Sequence, residues 1–489
     1  MKIEQDRRMF LKTAAAFAAM SAFPCGCATQ MPIGPMLSMS AKAVKKPGVI
    51  RGAFFYPPAQ DVLDGKCEDS WSREKWFTWP GNQFEPEQQQ AKFMDHLRGM
   101  AGTLGLNLKM DEKPICTNDG IQAFLDEVNS SKPDALILVN FWNSFSGKLK
   151  PILDGFKGPI ILYHPVGANH QLPPKLFLEA KRVHYIHSVE NWAAIERGFR
   201  AVQAKTQLSQ SRLLRVSGKA TGESDAMEEY LGVGLHTVPA EVFNRIFDEM
   251  PVSNEVRKLA RSVRRNARTV TDLEETAFTD GVRAHLSVLK MVEQYKADAI
   301  TIECLFLKHR KPCLSFSINN GNLLPCGCEN DLNASLTLML GANLFGRGGF
   351  QHNPEFDTEQ NLYFGAHCTC TTQLHGPGGK HEPYDLRPFF HQMPKSLAVD
   401  VEWPAGASAT LCKYHAGKGV MDAWRGQVVS SPKCPPTGGC STRLMVKMDN
   451  VADICSIYPG PHPVMYCGDF ARNVKVFGKL YGIEVKTNC

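Results

Sequence analysis

Glu303, Glu329, Asp331 and His367 fall in one stretch, residues 298–370, at places where a fold exposes its chemistry. The apolar run Ala299 to Ile302 ends on Glu303. A second apolar run, around Cys313 to Ile318, leads into a Gly/Asn turn. PCGCEND then sets Glu329 and Asp331 beside Cys326 and Cys328. Leu332 to Leu344 is apolar again, a glycine-rich loop follows, and the strand-like NLYFGAHC delivers His367. Carboxylates at strand ends or in turns, with an imidazole on a later strand, are a donor set for a hard divalent cation and a polyol. Asp331 also suits the N-cap of the helix expected after it. His352, in the glycine-rich loop, reads as an exposed side chain.

The thiols allow several readings. Cys326/Cys328 and Cys368/Cys370 form two C-x-C pairs. They could ligate zinc, bridge each other, or pack as small buried residues, and the spacing differs from the C-x2-C usual for thiolate metal sites. A thiolate-metal or redox protein built on both pairs would require all four sulfurs to meet. Cys434 and Cys440, in SPKCPPTGGC, read as a small disulfide-closed loop.

The elements that must position these groups alternate. Val49 to Tyr56 reads as a first strand. The loop from Ala59 to Glu85 carries Trp71, Trp76 and Trp79, aromatics suited to pinning a loop onto a core or lining a carbohydrate cleft. A helix spans 86–103, with Phe93, Leu97 and Met100 on one face and Pro86 in its first turn. Leu106 to Met110 is a short strand, and Asp119 to Val128 a helix capped by Asn118-Asp119. The continuous apolar runs Ala135 to Phe141 and Pro159 to Tyr163 are marks of buried parallel strands. The second run ends on His164, and ligand contacts in such sheets gather at strand carboxyl ends, which makes His164 a candidate substrate contact. Helices follow at Trp192–Val202, Met227–Tyr230 and 240–250, with strands at Leu213–Ser217 and Gly232–Val238. Basic residues 253–267 and the amphipathic segment 273–295 lead helically into the central stretch. After His367 come short β-like segments punctuated by Gly and Pro, then a terminal helix from Gly468-Asp469 and a last strand.

The expected fold class is therefore α/β: two Rossmann-like doubly wound domains at 48–170 and 171–298, then a C-terminal region, 299–489, with a β-barrel-like domain. The 489 residues are enough for two or three domains, and 43% hydrophobic with 21% charged residues is ordinary for a globular chain. The net charge of +6 is spread along the sequence. The basic run Arg257 to Arg268 reads as a solvated helix face, and no nucleic-acid motif accompanies it. At the N-terminus, Arg7-Arg8-Met9-Phe10-Leu11-Lys12 before an alanine-rich apolar run reads as a twin-arginine export signal over 1–30, with a linker at 31–47. That predicts a periplasmic or other extracytoplasmic location and a chain that folds, and loads any metal, before export. The run is too short for a permanent membrane span. Lipidation at Cys25 or Cys27 is a minor option, because the usual Leu-small-small pattern does not precede either.

PCGCEND with its LTLMLG helix, then GAHC, YDLR, PGPHPVMYCGD and a terminal YGIEV resemble the L-fucose isomerase and L-arabinose isomerase superfamily. The resemblance is specific over about 299–370 and 380–489. It implies two Rossmann-like domains, a β-barrel-like domain, frequent homo-oligomers, and aldose–ketose isomerisation of a monosaccharide through an enediol, with a divalent metal that is commonly manganese. Such a reaction needs a base, an acid and a cation to stabilise the enediolate. The resemblance places metal ligands at His462 and His367, with Glu303 the carboxylate nearest the position of the family's glutamate. It makes Glu303 and Glu329 the catalytic carboxylates, and Asn320 and Arg387 substrate contacts. The chain departs from the family's pattern at Leu307 and Asn320, where acids are expected. An asparagine can ligate through its carbonyl oxygen but cannot act as a base. The alternative expectation is a non-catalytic carbohydrate-binding protein on the same fold.

Overall fold

The computed structural model describes residues 45–489, except 69–72, 76–78, 82, 143–145, 168–171 and 390–394. The expected signal segment with Cys25 and Cys27, most of the linker, and Trp71, Trp76 and His170 lie outside the described residues. Trp79 is described and buried.

The chain is a mixed α/β protein. Strand β1 (Val49–Phe55), helix α1 (Pro86–Leu104), β2 (Asn107–Met110), α2 (Asn118–Ser131), β3 (Ala135–Asn140), β4 (Ile160–Pro165), β5 (Val183–Ser188) and α3 (Trp192–Leu208) form the first layer system. Its five strands are all parallel, in the order β2-β1-β3-β4-β5. Alternate residues of the inner strands feed two cores. Ile50 and Phe54 pack with Phe93 and Leu97 of α1 and with Phe199 of α3; Ala53 and Phe55 pack with Phe124 and Val128 of α2 on the other face. Coverage on both faces is why these strands read as unbroken apolar runs. The α2 cap is Thr117, whose hydroxyl accepts the Gly120 N–H, so Asn118 and Asp119 are helical rather than capping.

A second sheet follows from β6 (Arg212–Ser217), β7 (Ser224–Met227), β8 (Gly234–Pro239), α4 (Ala240–Asp248), α5 (Asn254–Asn266), α6 (Glu275–Gln294), β9 (Ala299–Ile302), α7 (Cys313–Gly321), β10 (Cys326–Cys328) and α8 (Leu332–Leu344). Its order is β10-β9-β6-β8-β7, parallel except for β7. The helix expected around Met227 is instead the exposed edge strand β7, whose pairing with β8 supplies the order that local pattern did not signal.

The remainder is β11 (Phe350–Gln351), β12 (Asn353–Asp357), β13 (Leu362–His367), the hairpin β14 (Tyr384–Pro388) and β15 (Leu397–Val401), then β16 (Ser408–His415), β17 (Val420–Ser430), β18 (Thr442–Met448), β19 (Val464–Cys467), α9 (Ala471–Tyr481) and β20 (Glu484–Thr487). The large sheet runs β11-β19-β16-β17-β18-β13-β12, with β20 added parallel to β17. Its end strands β11 and β12 are consecutive in the chain and joined by His352, so the sheet curls back on itself. Among the described residues no disulfide is present; Cys434 and Cys440 are half-buried and unbridged. No helix among them is long and apolar enough to cross a membrane.

Helix α8 joins these parts. It is apolar on nearly every side because every side is covered: its leucines share one core with Ala201 and Ala204 of α3 and with Tyr414 and Tyr466 of the curled sheet. Gly341 is required where Tyr466 crosses, since a Cβ there would lie 2.2 Å from the ring.

His352, expected at the surface, is fully buried at the seam between β11 and β12. Its Nδ1–H donates to the Phe350 carbonyl at 2.8 Å, which leaves Nε2 to accept the Tyr363 hydroxyl at 2.7 Å. Burial first, then nearby positive charge, pushes its pKa down to about 3. The unfolded chain therefore binds a proton that the folded chain refuses between about pH 6.5 and 3, and stability is lost as pH falls through that window by about 1.4 kcal/mol per unit. Denaturant midpoints should fall on acidification from neutral pH, with a shallower fall in His352→Gln. Equal slopes in parent and variant would assign the acid sensitivity elsewhere.

Candidate metal centre

The site is built on β10, a three-residue edge strand. Gly327 faces β9, and a Cβ there would meet the Ser335 hydroxyl at 2.1 Å, so only glycine lets α8 lie this close. Cys326 and Cys328 turn their peptide groups outward, where no further strand pairs with them. Two side-chain amides stand in for it. The Asn320 Oδ1 accepts the Cys326 N–H at 2.8 Å, and its Nδ2 donates to the Cys326 carbonyl at 3.1 Å. Gln351 does the same for Cys328, at 2.8 and 3.1 Å. Buried peptide groups need such partners. Asn320 lies in the last turn of α7 rather than in an open turn, and both ends of its amide are committed to the strand. This accounts for an amide where an acid was expected: a carboxylate cannot donate to the Cys326 carbonyl.

From the end of β10 the backbone enters the left-handed region at two consecutive non-glycine residues, Glu329 (φ 61°) and Asn330 (φ 54°). Asn330 is steadied by Arg215 at 3.2 Å. Asp331 then caps α8 through Oδ1, which accepts the Ala334 N–H at 2.8 Å. Its Oδ2 accepts from Nδ1 of His462 at 3.0 Å. His462 is itself left-handed (φ 51°), in a loop where buried Lys413 donates to the Pro461 carbonyl. Non-glycine residues in this region cost about 1–3 kcal/mol each and gather at functional sites.

With Nδ1–H given to Asp331, neutral His462 presents the Nε2 lone pair. That atom lies 3.4 Å from Glu329 Oε2, and His367 Nε2, at the end of β13, lies 3.6 Å from Glu329 Oε1. The two rings meet edge to face, with centroids 5.6 Å apart. One imidazole thus faces each carboxylate oxygen, at separations longer than a hydrogen bond. Two metal–ligand bonds of about 2.1 Å at a tetrahedral angle span about 3.4 Å, so the three donors fit a divalent ion between them. Glu329, His367 and His462 lie within 4.8 Å of one another through their ligand atoms. The His367 side chain is 2% exposed and the Glu329 side chain 26%, so the site opens on the Glu329 side. Burial works against the Asp331 charge, but the His462 hydrogen bond and the Ala334 N–H hold its carboxyl below the usual range. Burial likewise opposes protonated His462, and Asp331 with Glu329 reverses the balance and raises its pKa.

The other expected site residues fall elsewhere. Glu303, expected as metal ligand and base, is not part of the ligand group: its Oε2 accepts from the Ser217 hydroxyl at 3.1 Å and the Gly218 N–H at 2.9 Å, across the end of β6. Leu307, where an acid was expected, is buried, whereas Phe306 is exposed. His164 is buried on the first sheet beside His187, and burial, then that neighbour, pushes its pKa down to about 4. Arg387 donates to Asp400 at 3.3 Å, in a network with buried Arg443. The C-x-C pairs do not meet as a set of four. Cys328 and Cys368 approach each other and His367, whereas Cys370 accepts from the Trp403 indole N–H. The sequence reading missed Gln351, the hold of Asp331 on His462, and Cys304 and Cys313. No local pattern signals contacts between such distant positions.

Asn320→Asp should destabilise the protein by about 2–3 kcal/mol near neutral pH, because it sets a charge against a buried carbonyl. The loss should shrink at acid pH, where the protonated carboxyl can donate; a neutral effect at pH 7 would remove the clamp argument. Glu329→Gly relieves the left-handed strain at an entropic cost of about 0.5–1 kcal/mol. Its unliganded stability should stay within about 1 kcal/mol of the parent, whereas Glu329→Val should lose more, as thermal melts would show. In comparisons with known proteins, no protein-family model and no curated protein sequence matches this chain.

Proposed function

We propose that the chain is a metal-dependent aldose–ketose isomerase-like protein acting on a monosaccharide or related polyol. On this reading the all-parallel sheet and the mostly parallel second sheet are Rossmann-like units and the curled sheet is a barrel-like third domain. The carrying observation is the convergence of two imidazole Nε2 atoms on the two oxygens of Glu329, at 3.4 and 3.6 Å. Glu329, His367 and His462 would hold the ion, and nitrogen with carboxylate oxygen suits manganese among several divalent metals. When bound, the ion would supply the positive charge that an enediolate requires.

The chain's own residues divide the remaining work. Asp331 fixes the His462 tautomer and so aims its lone pair. The buried back of the site, at His367 and Cys328, excludes water. Glu329, on the open side, is the carboxylate placed to take a proton from a sugar carbon.

A second reading has its own support. Glu303 is held by Ser217 and Gly218 and position 307 is a buried leucine, so neither expected position supplies the triad with the second carboxylate of an acid/base pair, and Asp331 is committed to the α8 cap and His462. That favours sugar binding without turnover.

Elemental analysis of the full folded chain should find a stoichiometric divalent ion that is lost in His462→Ala. Aldoses incubated with the metal-loaded protein in deuterated solvent should then exchange the proton at the carbon beside the carbonyl. Metal and sugar binding with no exchange would select the second reading. A metal-free protein whose composition His462→Ala does not change would remove both the triad and the isomerase proposal.

A further inference from the structure

Behind the triad lies a group of thiols that the isomerase reading does not use. Cys304 follows β9, Cys313 opens α7, Cys328 ends β10 and Cys368 follows β13, and all four are buried. Their sulfurs approach in two pairs, Cys304 to Cys328 at 2.9 Å and Cys313 to Cys368 at 3.4 Å. Cys328 and Cys368, one from each pair, lie together with His367, with ligand atoms all within 4.8 Å of one another. The two faces of that imidazole are distinct: Nε2 looks toward Glu329 at 3.6 Å, whereas Nδ1 lies 3.7 Å from the Cys368 sulfur.

We propose that Cys328, Cys368 and His367 Nδ1 form a second metal site, for a soft or borderline ion of the zinc class, back to back with the carboxylate–histidine site. Thiolate and imidazole select such ions, as carboxylate-rich sets do not. In a tetrahedral site with bonds of about 2.3 Å to sulfur and 2.0 Å to nitrogen, neighbouring donors lie about 3.5–3.8 Å apart, and the Cys368–His367 separation falls in that range. Cys304, against Cys328, and Cys313, against Cys368, are placed to supply the fourth donor, a third sulfur. On binding, Cys328 and Cys368 release their thiol protons to solvent; with both sites filled His367 also gives up its remaining ring proton and bridges the two ions as imidazolate, and no electrons are transferred. The site is buried where the triad is open, which suits an ion that holds β9, β10, α7 and β13 in register rather than one that meets substrate. The proposal stands on different donors from the isomerase reading and shares only His367 with it.

Cobalt separates the two sites, because only a sulfur-ligated ion shows thiolate-to-cobalt charge-transfer absorption. The full chain, prepared reduced and loaded with cobalt, should show that band. His462→Ala, which disables only the triad, should keep it. Cys328→Ser and Cys368→Ser should each lose most of it, whereas Cys326→Ser, a buried thiol outside the group, should keep it. X-ray absorption of the zinc-loaded parent needs no variant and should find sulfur at about 2.3 Å. Cobalt or zinc bound with nitrogen and oxygen neighbours alone would overturn the site. So would a mass measurement showing Cys304–Cys328 or Cys313–Cys368 disulfides in the metal-free protein as isolated. A parent chain that shows the sulfur band but binds no second ion sensitive to His462→Ala would remove the isomerase reading and leave this one standing.

Discussion

Everything at the site depends on how the edge of β10 is satisfied. A sheet that ends on a buried strand leaves peptide groups without partners, which is costly away from water. Here the edge is closed by two amides, Asn320 from α7 and Gln351 from β11, each acting as donor and acceptor on one residue. Closing it with side chains rather than another strand leaves the space beyond the strand's end free, and Cys328, Glu329 and Asp331 emerge into it. Gln351 belongs to the curled sheet, so the same contact sets that sheet against the parallel one and brings His367 and His462 to Glu329.

Helix α8 adds a second constraint. Asp331 uses one oxygen to cap the helix and the other to orient His462, so the local signal for the helix start and the aim of a candidate ligand are a single side chain. The left-handed residues Glu329, Asn330 and His462 persist because packing on α8 and the amide clamps hold the segments on either side. A turn relaxed by glycine would fold as well and offer no carboxylate.

Charge is distributed to match. Acids and imidazoles meet on the open side. On the buried side, hydrogen bonds from Cys304 and Cys368 hold the Cys328 thiol low, whereas its contact with Cys328, and burial, push Cys304 up. His352 and His164 are kept neutral by burial.

By itself the sequence determined the elements and the types of donor. Unbroken apolar runs such as Ala135 to Phe141 marked buried parallel strands, and Asp331 before Leu332 marked a cap, because periodicity and capping act within a few residues. Glu329, in the PCGCEND turn, and His367, at the end of a strand-like apolar run, were legible as donors. The tertiary structure decided which donors meet. Glu303 is taken by Ser217 and Gly218 on a neighbouring parallel strand. His462 is aimed by an aspartate far upstream in the chain. Asn320 serves a strand rather than a ligand, His352 is buried at a seam, and the thiols pair across the C-x-C motifs rather than within them. Each outcome is set by which strands the crossovers place side by side and which sheet edge the second layer covers, and these are long-range choices that no local spacing encodes.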